Sequence, residues 1–473
     1  MKPDVVLRLL EGASVVDRQG IHFLELPASS YRPPLPVRNM TPGFQAAVEQ
    51  LLNGSPTASS LMTEVLRNDG PTGAGRWHQF SGHLWRMAMI RQTLLVDEKP
   101  FATLTPLSFY FRFQEHEIEA DKRFLLSRFA YMHLVGETMR LESPTGHADL
   151  NLHDPRAMTL LGALASPQSA TELATTCGLE PEQVQVMLNF LLNMEAVVTD
   201  GQQAPDPIRD PWEFHDLLFH SRSRLGRHDR PYGGTYPFKD VFPAIPTIKP
   251  PMDGEVIELA TPDLTQIREQ DPSFTEVLES RKSIRSQDEQ PITVAQLGEF
   301  LYRSSRVKKL SADGSVSFRP SAGGGALHEL EVYPFVSRCE GLEPGAYHYR
   351  AADHQLTRIQ EMTPTVKTLL DVAGVTATLQ GPPQVLFLVA ARFQRVQMKY
   401  QSMAYAVILK NVGALYQTMY LVGTAMNLAP CALGGGHSDL FAESLGLNYY
   451  QETSVGEFIL GTRGPLADEG YQR

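Results

Sequence analysis

The sequence predicts an α+β fold with more than one core. Two patterns carry this. From about Asp263 onward, helical-period stretches such as SFTEVLESRKS and TVAQLGEFLYRSSR alternate with short β-rich runs: LEVYPFVSR, GAYHYR, QLTRI, VLFLVAARF and SVGEFILGTR. Between Ala404 and Leu428 apolar residues recur at 404, 408, 412, 415, 419, 422 and 426. Those steps of four and three predict a buried central helix. With 473 residues, 42% of them hydrophobic and 20% charged, the chain has the composition of a globular protein with several domains.

In chain order, TPGFQAAVEQLLNG and WHQFSGHLWRMAMIRQTLLVDE read as two amphipathic helices, followed by the apolar stretch FATLTPLSFYFRF. They suggest a small helix-plus-strand unit over residues 1–105. The stretch from Ser166 to Val198 reads as helix, tight turn at Gly178, then a longer helix. Ser169 and Glu172 form a capping-box pair at the first helix, and Ala-Val-Val is a wing strand. This is a winged-helix pattern, assigned to 106–203, and the 1–105 unit is read as a similar one. Winged helices often bind DNA, but no Lys or Arg occurs between Arg156 and Arg209, and the second helix carries Glu180, Glu182 and Glu195. A phosphate backbone would be repelled, so strand addition by a peptide along the wing is the better functional reading, beside that of a structural spacer.

Residues 204–262 form a Pro-rich connecting arm, too long to be idle, with prolines at 205, 207, 211, 231, 237, 243, 246, 250, 251 and 262. Its stretch WEFHDLLFHSRSRLGRHDRPYGG gathers arginines and histidines, either as a solvated arm or as the lining of a substrate or cofactor entrance. The remainder, 263–473, is one α+β domain with a mixed or antiparallel central sheet flanked by helices.

Composition excludes several classes. No segment approaches the ~18 apolar residues of a membrane helix, and the start MKPDVVLRLLEGASV is a poor secretory signal, so a cytoplasmic protein without a membrane partner is expected. Cys177, Cys339 and Cys431 are too few and too scattered for a disulfide framework or a Cys-based metal site, and no metal is expected. A net charge of −11 opposes nucleic-acid binding.

Four local signals carry chemistry. In ESRKSIRS, Arg281, Ser283 and Arg285 alternate, so on extended backbone all three point one way and can hold a phosphate; an exposed basic turn is the plainer reading. In PSAGGG, Ser321, Ala322, Gly323 and Gly324 let a planar ligand approach the backbone, although a tight loop also uses glycines. In APCALGGGHSDLFAESLGL, Gly434 and Gly435 offer backbone amides, or merely end a helix. In QMKYQSMAYA, Lys399 beside Tyr400 favours a phenolate that serves as a base, unless the two are an ordinary snorkelling pair.

Together these motifs, with FHSRSRLGRHDRPYGGTYPF and the closing FILGTRG, resemble the flavin-dependent nitroreductase superfamily, and within it the SagB/ThcOx-type azoline dehydrogenases that tailor ribosomally made peptides. The resemblance covers residues 210 to 473 by motif and the whole chain by layout, since such oxidases often carry winged-helix peptide-recognition units. It implies FMN bound at a homodimer interface, with Arg281, Ser283 and Arg285 on the phosphate and ribityl chain. Ser321, Ala322, Gly323 and Gly324 would approach the flavin, Gly434 and Gly435 would lie near its reactive face, and Arg463 would meet the phosphate. One departure is that many relatives read Pro-Ser-Ala-Gly-Ala-x-x-Pro, whereas two extra glycines and His328 stand here.

The implied reaction oxidises a thiazoline or oxazoline to the aromatic azole: hydride to flavin N5, proton to a base formed by Lys399 and Tyr400, and reoxidation by oxygen. The implied partners are a ribosomal precursor peptide, through leader and azoline-containing core, and a cyclodehydratase. No Gly-x-Gly-x-x-Gly nicotinamide fingerprint occurs. Alternatives are an NAD(P)H-dependent nitro or quinone reductase, a catalytically silent peptide-binding scaffold, and a winged-helix transcription factor, the last opposed by the missing basic surface.

Overall fold

The computed structural model describes residues 4–27, 32–38, 40–119, 121–201 and 206–464. Pro205 of the arm, the first three residues and the last nine lie outside them. The chain forms two compact units, Met1–Tyr232 and Gly233–Arg473.

The first unit is built on a six-stranded antiparallel sheet in the order Val5–Leu9, Ile90–Val96, Lys99–Pro106, Ala148–Leu152, Thr138–Glu142, Tyr131–Val135. Helices Pro42–Asn53 and Ala58–Arg86 bury Phe44, Leu51, Trp77 and Phe80 with Leu7, Leu9 and Ile90. The helical reading of 77–98 holds only as far as Arg86. Beyond it, Ile90–Val96 alternates buried and partly buried residues along its whole length, the period of a strand, and that pattern overrides the helical spacing carried over from before. Strand Lys99–Pro106 ends across residue 105 and pairs with Ala148–Leu152, so one sheet draws on both of the segments the sequence divides there.

Three helices, Pro155–Ala163, Ala170–Cys177 and Pro181–Asn193, pack with a small sheet of Gln168–Ser169, Arg123–Leu126 and Val197–Thr199. Ser169 and Glu172 make both halves of the capping box, and Gly178 ends the second helix at φ +63°. That left-handed conformation favours glycine.

The second unit holds a seven-stranded antiparallel sheet in the order Glu255–Glu258, Gln355–Glu361, Gly345–Arg350, Leu330–Val336, Val385–Arg392, Glu452–Leu460, Cys431–Leu433. Strand Val385–Arg392 is buried on both faces. Its residues 385, 387, 389 and 391 join one core with helices Val294–Ser305 and Ala404–Ala425, whereas 386, 388 and 390 join another with Pro364–Thr376 and Ser438–Leu445. The arm divides between the units. Its first half carries helix Phe214–Arg222, and its second supplies the edge strand Glu255–Glu258.

Buried arginines fasten that second half to the core. Arg395 donates to the carbonyls of Ile245 and Leu327, and Arg392 to those of Pro246 and Thr247. Arg392 and His348 also flank Glu331, 3% exposed; burial alone would raise that carboxyl, but His348, Arg319 and Arg392 hold it at about 2.

Candidate functional site

The site is built along the central helix Ala404–Ala425, which meets the glycine loop near one end and the basic motif near the other. Helix Phe274–Ser280 stops at Arg281, whose ψ of 121° turns the chain extended. Ile284 then points inward, 5% exposed, and its N–H donates to the Pro430 carbonyl. Ser283 and Arg285, on either side of it in sequence, are less buried.

Tyr420, from the central helix, organises this corner. Its hydroxyl lies 2.7 Å from Ser283 Oγ and accepts the Ala432 N–H at 2.8 Å, and the Arg281 guanidinium lies 5.1 Å from its ring centroid. Arg285 is close enough to Cys431 to oppose the upward push that burial gives its thiol. Arg463 comes to the same corner through the backbone: it bridges Gln287, and Gly464 donates to Ser286. Its guanidinium donates to Asn427 at 2.9 Å. The four polar residues singled out at 281, 283, 285 and 463 thus come from two separate segments, with Tyr420 from a third. Their chemistry suits an anion such as a phosphate monoester.

Nine residues before Tyr420 on the central helix, at Asn411, the glycine loop is packed against its own chain. A methyl group at Gly323 would sit 2.9 Å from His328 Nδ1, and one at Gly324 would sit 2.5 Å from Val407 Cγ1. At Gly325, φ is +62° and a methyl group would lie 2.6 Å from the Tyr400 hydroxyl and 2.7 Å from Lys399 Nζ. Side chains are therefore excluded by neighbours the sequence did not reveal. The reading ended at Gly324, yet Gly325 is the residue over which the Lys399 and Tyr400 polar ends converge.

Tyr400 and Gln401 are held by pairing with Gly233 and Gly234 of the arm, and Tyr236 N–H donates to the Lys399 carbonyl. Lys399 Nζ also lies 5.4 Å from the Tyr400 ring centroid and 5.9 Å from that of Tyr236. Ser321, Ala322 and Gly323 line a cavity with His328, Glu329 and Asn411. His328, at φ +46° and 9% exposed, has its imidazole pulled down to about 4 by burial and by Arg319 and Arg395.

Gly434 and Gly435 follow strand Cys431–Leu433 and are exposed, and a methyl group at either would meet nothing within 4 Å. Gly436 is the crowded one, with Glu457 Oε1 1.9 Å from the position of an added Cβ. Tyr420, Asn411 and Glu329 carry no local signal in the sequence. Their partners lie 82 to 137 residues away, beyond the reach of local spacing.

Residues 278–462 match the nitroreductase family, and residues 124–229 match the cyanobactin oxidase ThcOx family. The chain is 26% identical over 197 residues to a protein of Methanocaldococcus jannaschii named "Putative nitroreductase MJ1384", covering 42% of this chain and 93% of that one. It is 24% identical over 140 residues to the trifolitoxin-processing protein TfxB of Rhizobium leguminosarum bv. trifolii, covering 29% of this chain and 38% of that one. Among solved structures, the E. coli microcin synthetase McbBCD complex with truncated pro-MccB17 bound matches at 17% identity and a TM-score of 0.34, over 52% of this chain and 85% of that one. The nitroreductase match falls within the second unit, on the sheet and central helix that carry the site, and the ThcOx match falls within the first. The chain carries a nitroreductase-family domain, of oxidoreductase type, over residues 278–462, with a segment that matches the ThcOx family ahead of it.

Proposed function

We propose that the protein is an FMN-dependent azoline oxidase that converts thiazoline or oxazoline rings of a ribosomally made peptide to the aromatic azoles, acting as a homodimer. One observation carries the reading: a lysine ammonium and a tyrosine hydroxyl converge over Gly325, on the same helix scaffold that gathers two arginines and a serine into an anion site. Members of the nitroreductase family bind FMN. The residues fit that cofactor, with Arg281, Ser283, Arg285 and Arg463 for the phosphate end. Gly434 and Gly435 leave open space where a ring can lie. When bound, FMN would accept the hydride and pass the electron pair to oxygen.

The chain's own residues would do the rest. Tyr400 takes the proton from the ring carbon next to the one that loses hydride, and the Lys399 ammonium stabilises the resulting charge. Gly325 lets both ends approach the same point without a side chain between them. Backbone pairing to Gly233 and Gly234 holds the pair in place. The leader of the peptide would add to the free edge of Val197–Thr199, beside a groove lined by Leu125, Val198, Arg209 and Asp210. A cyclodehydratase would supply the azoline.

The test is to incubate FMN-loaded protein with an azoline peptide and read the mass. The expected result is loss of two hydrogens per ring, abolished by Lys399→Ala and by Tyr400→Phe. Unchanged peptide mass, together with rapid bleaching of the flavin by NADPH, would instead identify a nitro or quinone reductase.

A further inference from the structure

Below the glycine loop lies a buried pair that the proposed reaction does not use. Asn411, on the central helix and 7% exposed, accepts the Gly324 N–H with its Oδ1 at 2.9 Å. Because that oxygen must face a donor, the amide nitrogen faces the other way, and it donates to Glu329 Oε1 at 2.8 Å. Glu329 is fully buried, at 0% exposure, and its second oxygen has no hydrogen-bond partner among the described residues. Burial pushes this carboxyl up, against the bond from Asn411 and the fields of Arg319 and Arg395.

The geometry is a three-part chain. Glu329 fixes which way the Asn411 amide points, the amide fixes the Gly324 backbone, and Gly325 is the next residue, over which Lys399 and Tyr400 meet. A buried amide held at both ends has one orientation, whereas the same amide without Glu329 could turn over and present N–H to N–H. Val407, one turn before Asn411 on the same helix, closes the other side of Gly324.

We propose that Asn411 and Glu329 are positioning residues: a buried amide–carboxyl pair that sets the glycine loop and so the approach of substrate to Lys399 and Tyr400. The inference rests on the catalytic reading above for its effect on turnover, but not for its effect on the loop. The two are therefore measured separately.

Hydrogen–deuterium exchange of the peptide spanning the loop is read on the full-length protein without added flavin. Asn411→Asp keeps an acceptor for Gly324 but loses the donor to Glu329, so loop exchange is expected to rise roughly tenfold. Adding Glu329→Gln reverses the pair, amide for carboxyl, and is expected to restore slow exchange.

With FMN bound, Asn411→Asp is expected to lower kcat on the azoline peptide about tenfold and to make kcat depend on pH, with KM and FMN affinity nearly unchanged. The double variant recovers most of the rate. Exchange in Asn411→Asp equal to the parent, or effects in the double variant that add rather than cancel, would overturn the inference. If exchange follows the pattern but no variant or parent turns over, the loop assignment stands and the catalytic reading falls. A variant that does not fold is replaced by Asn411→Gln, whose longer arm misplaces the same groups and is expected to raise loop exchange alone.

Discussion

Lys399 and Tyr400 are consecutive in sequence, yet their polar ends reach a common point because the backbone at 400–401 is pinned by two glycines of the arm and Gly325 gives way beneath them. Tyr400→Phe removes one hydroxyl and leaves the ring, so folding and flavin content should be unchanged while turnover falls by about two to four orders of magnitude. Steady-state kinetics on purified variants checks this. At the opposite corner, Tyr420→Phe removes the hydroxyl that faces Ser283 and holds Ala432, and FMN affinity should weaken about tenfold in a fluorescence titration.

Glu142, in the first unit, makes a prediction of a different kind. It is 2% exposed, and although burial alone would raise its carboxyl, Arg222, Tyr131, His133 and Arg230 hold it at about 2. A carboxylate held below its unfolded value contributes in full above that value, and the contribution fades as pH falls through the folded one. Glu142→Gln should therefore cost about 3 kcal/mol at pH 7, with the difference shrinking below about pH 4.5, as read by denaturant titration.

Among the elements, the two glycine clusters are opposites. Gly324 and Gly325 are packed by the chain's own side chains, and Gly324→Ala should destabilise the loop by roughly 1–3 kcal/mol because Val407 cannot retreat from a helix face that is already buried. Gly434 and Gly435 have room for a methyl group. Gly434→Ala should fold as well as the parent and yet bind FMN more weakly, because the added methyl occupies space assigned to the ring. Equal FMN affinity in that variant would remove Gly434 from the cofactor site. Gly436→Ala should instead push the Glu457 carboxyl aside.

These elements show what could be read beforehand. Strands such as Val385–Arg392 and helices such as Ala404–Ala425 announce themselves by length and period, and the capping box at Ser169 by two residues three apart. Ile90–Val96 did not, because it follows a helix directly and a window that straddles both inherits the helical spacing. The Arg281, Ser283 and Arg285 motif was visible as alternation. Tyr420 was not, since it was one more aromatic among the apolar residues of a buried helix, and only the fold brings it to Ser283.

For the whole molecule, the two matched segments fall in different units, the ThcOx-family segment in the first and the nitroreductase-family segment in the second. Proline at Thr199, whose N–H faces away from Arg123–Leu126, should weaken leader-dependent turnover through KM and spare the oxidation of a leaderless azoline substrate, because proline cannot donate to an added strand. Among the described residues no helix is long and apolar enough to cross a membrane.

The most direct test is an FMN titration of purified protein, followed by absorbance and by the mass of the complex in native mass spectrometry. The account predicts one FMN per chain on a dimer, lost when Arg281 and Arg285 are both changed to alanine while the fold and dimer persist. A parent protein that takes up no FMN at excess, or a double variant that holds it as tightly as the parent, would contradict the account.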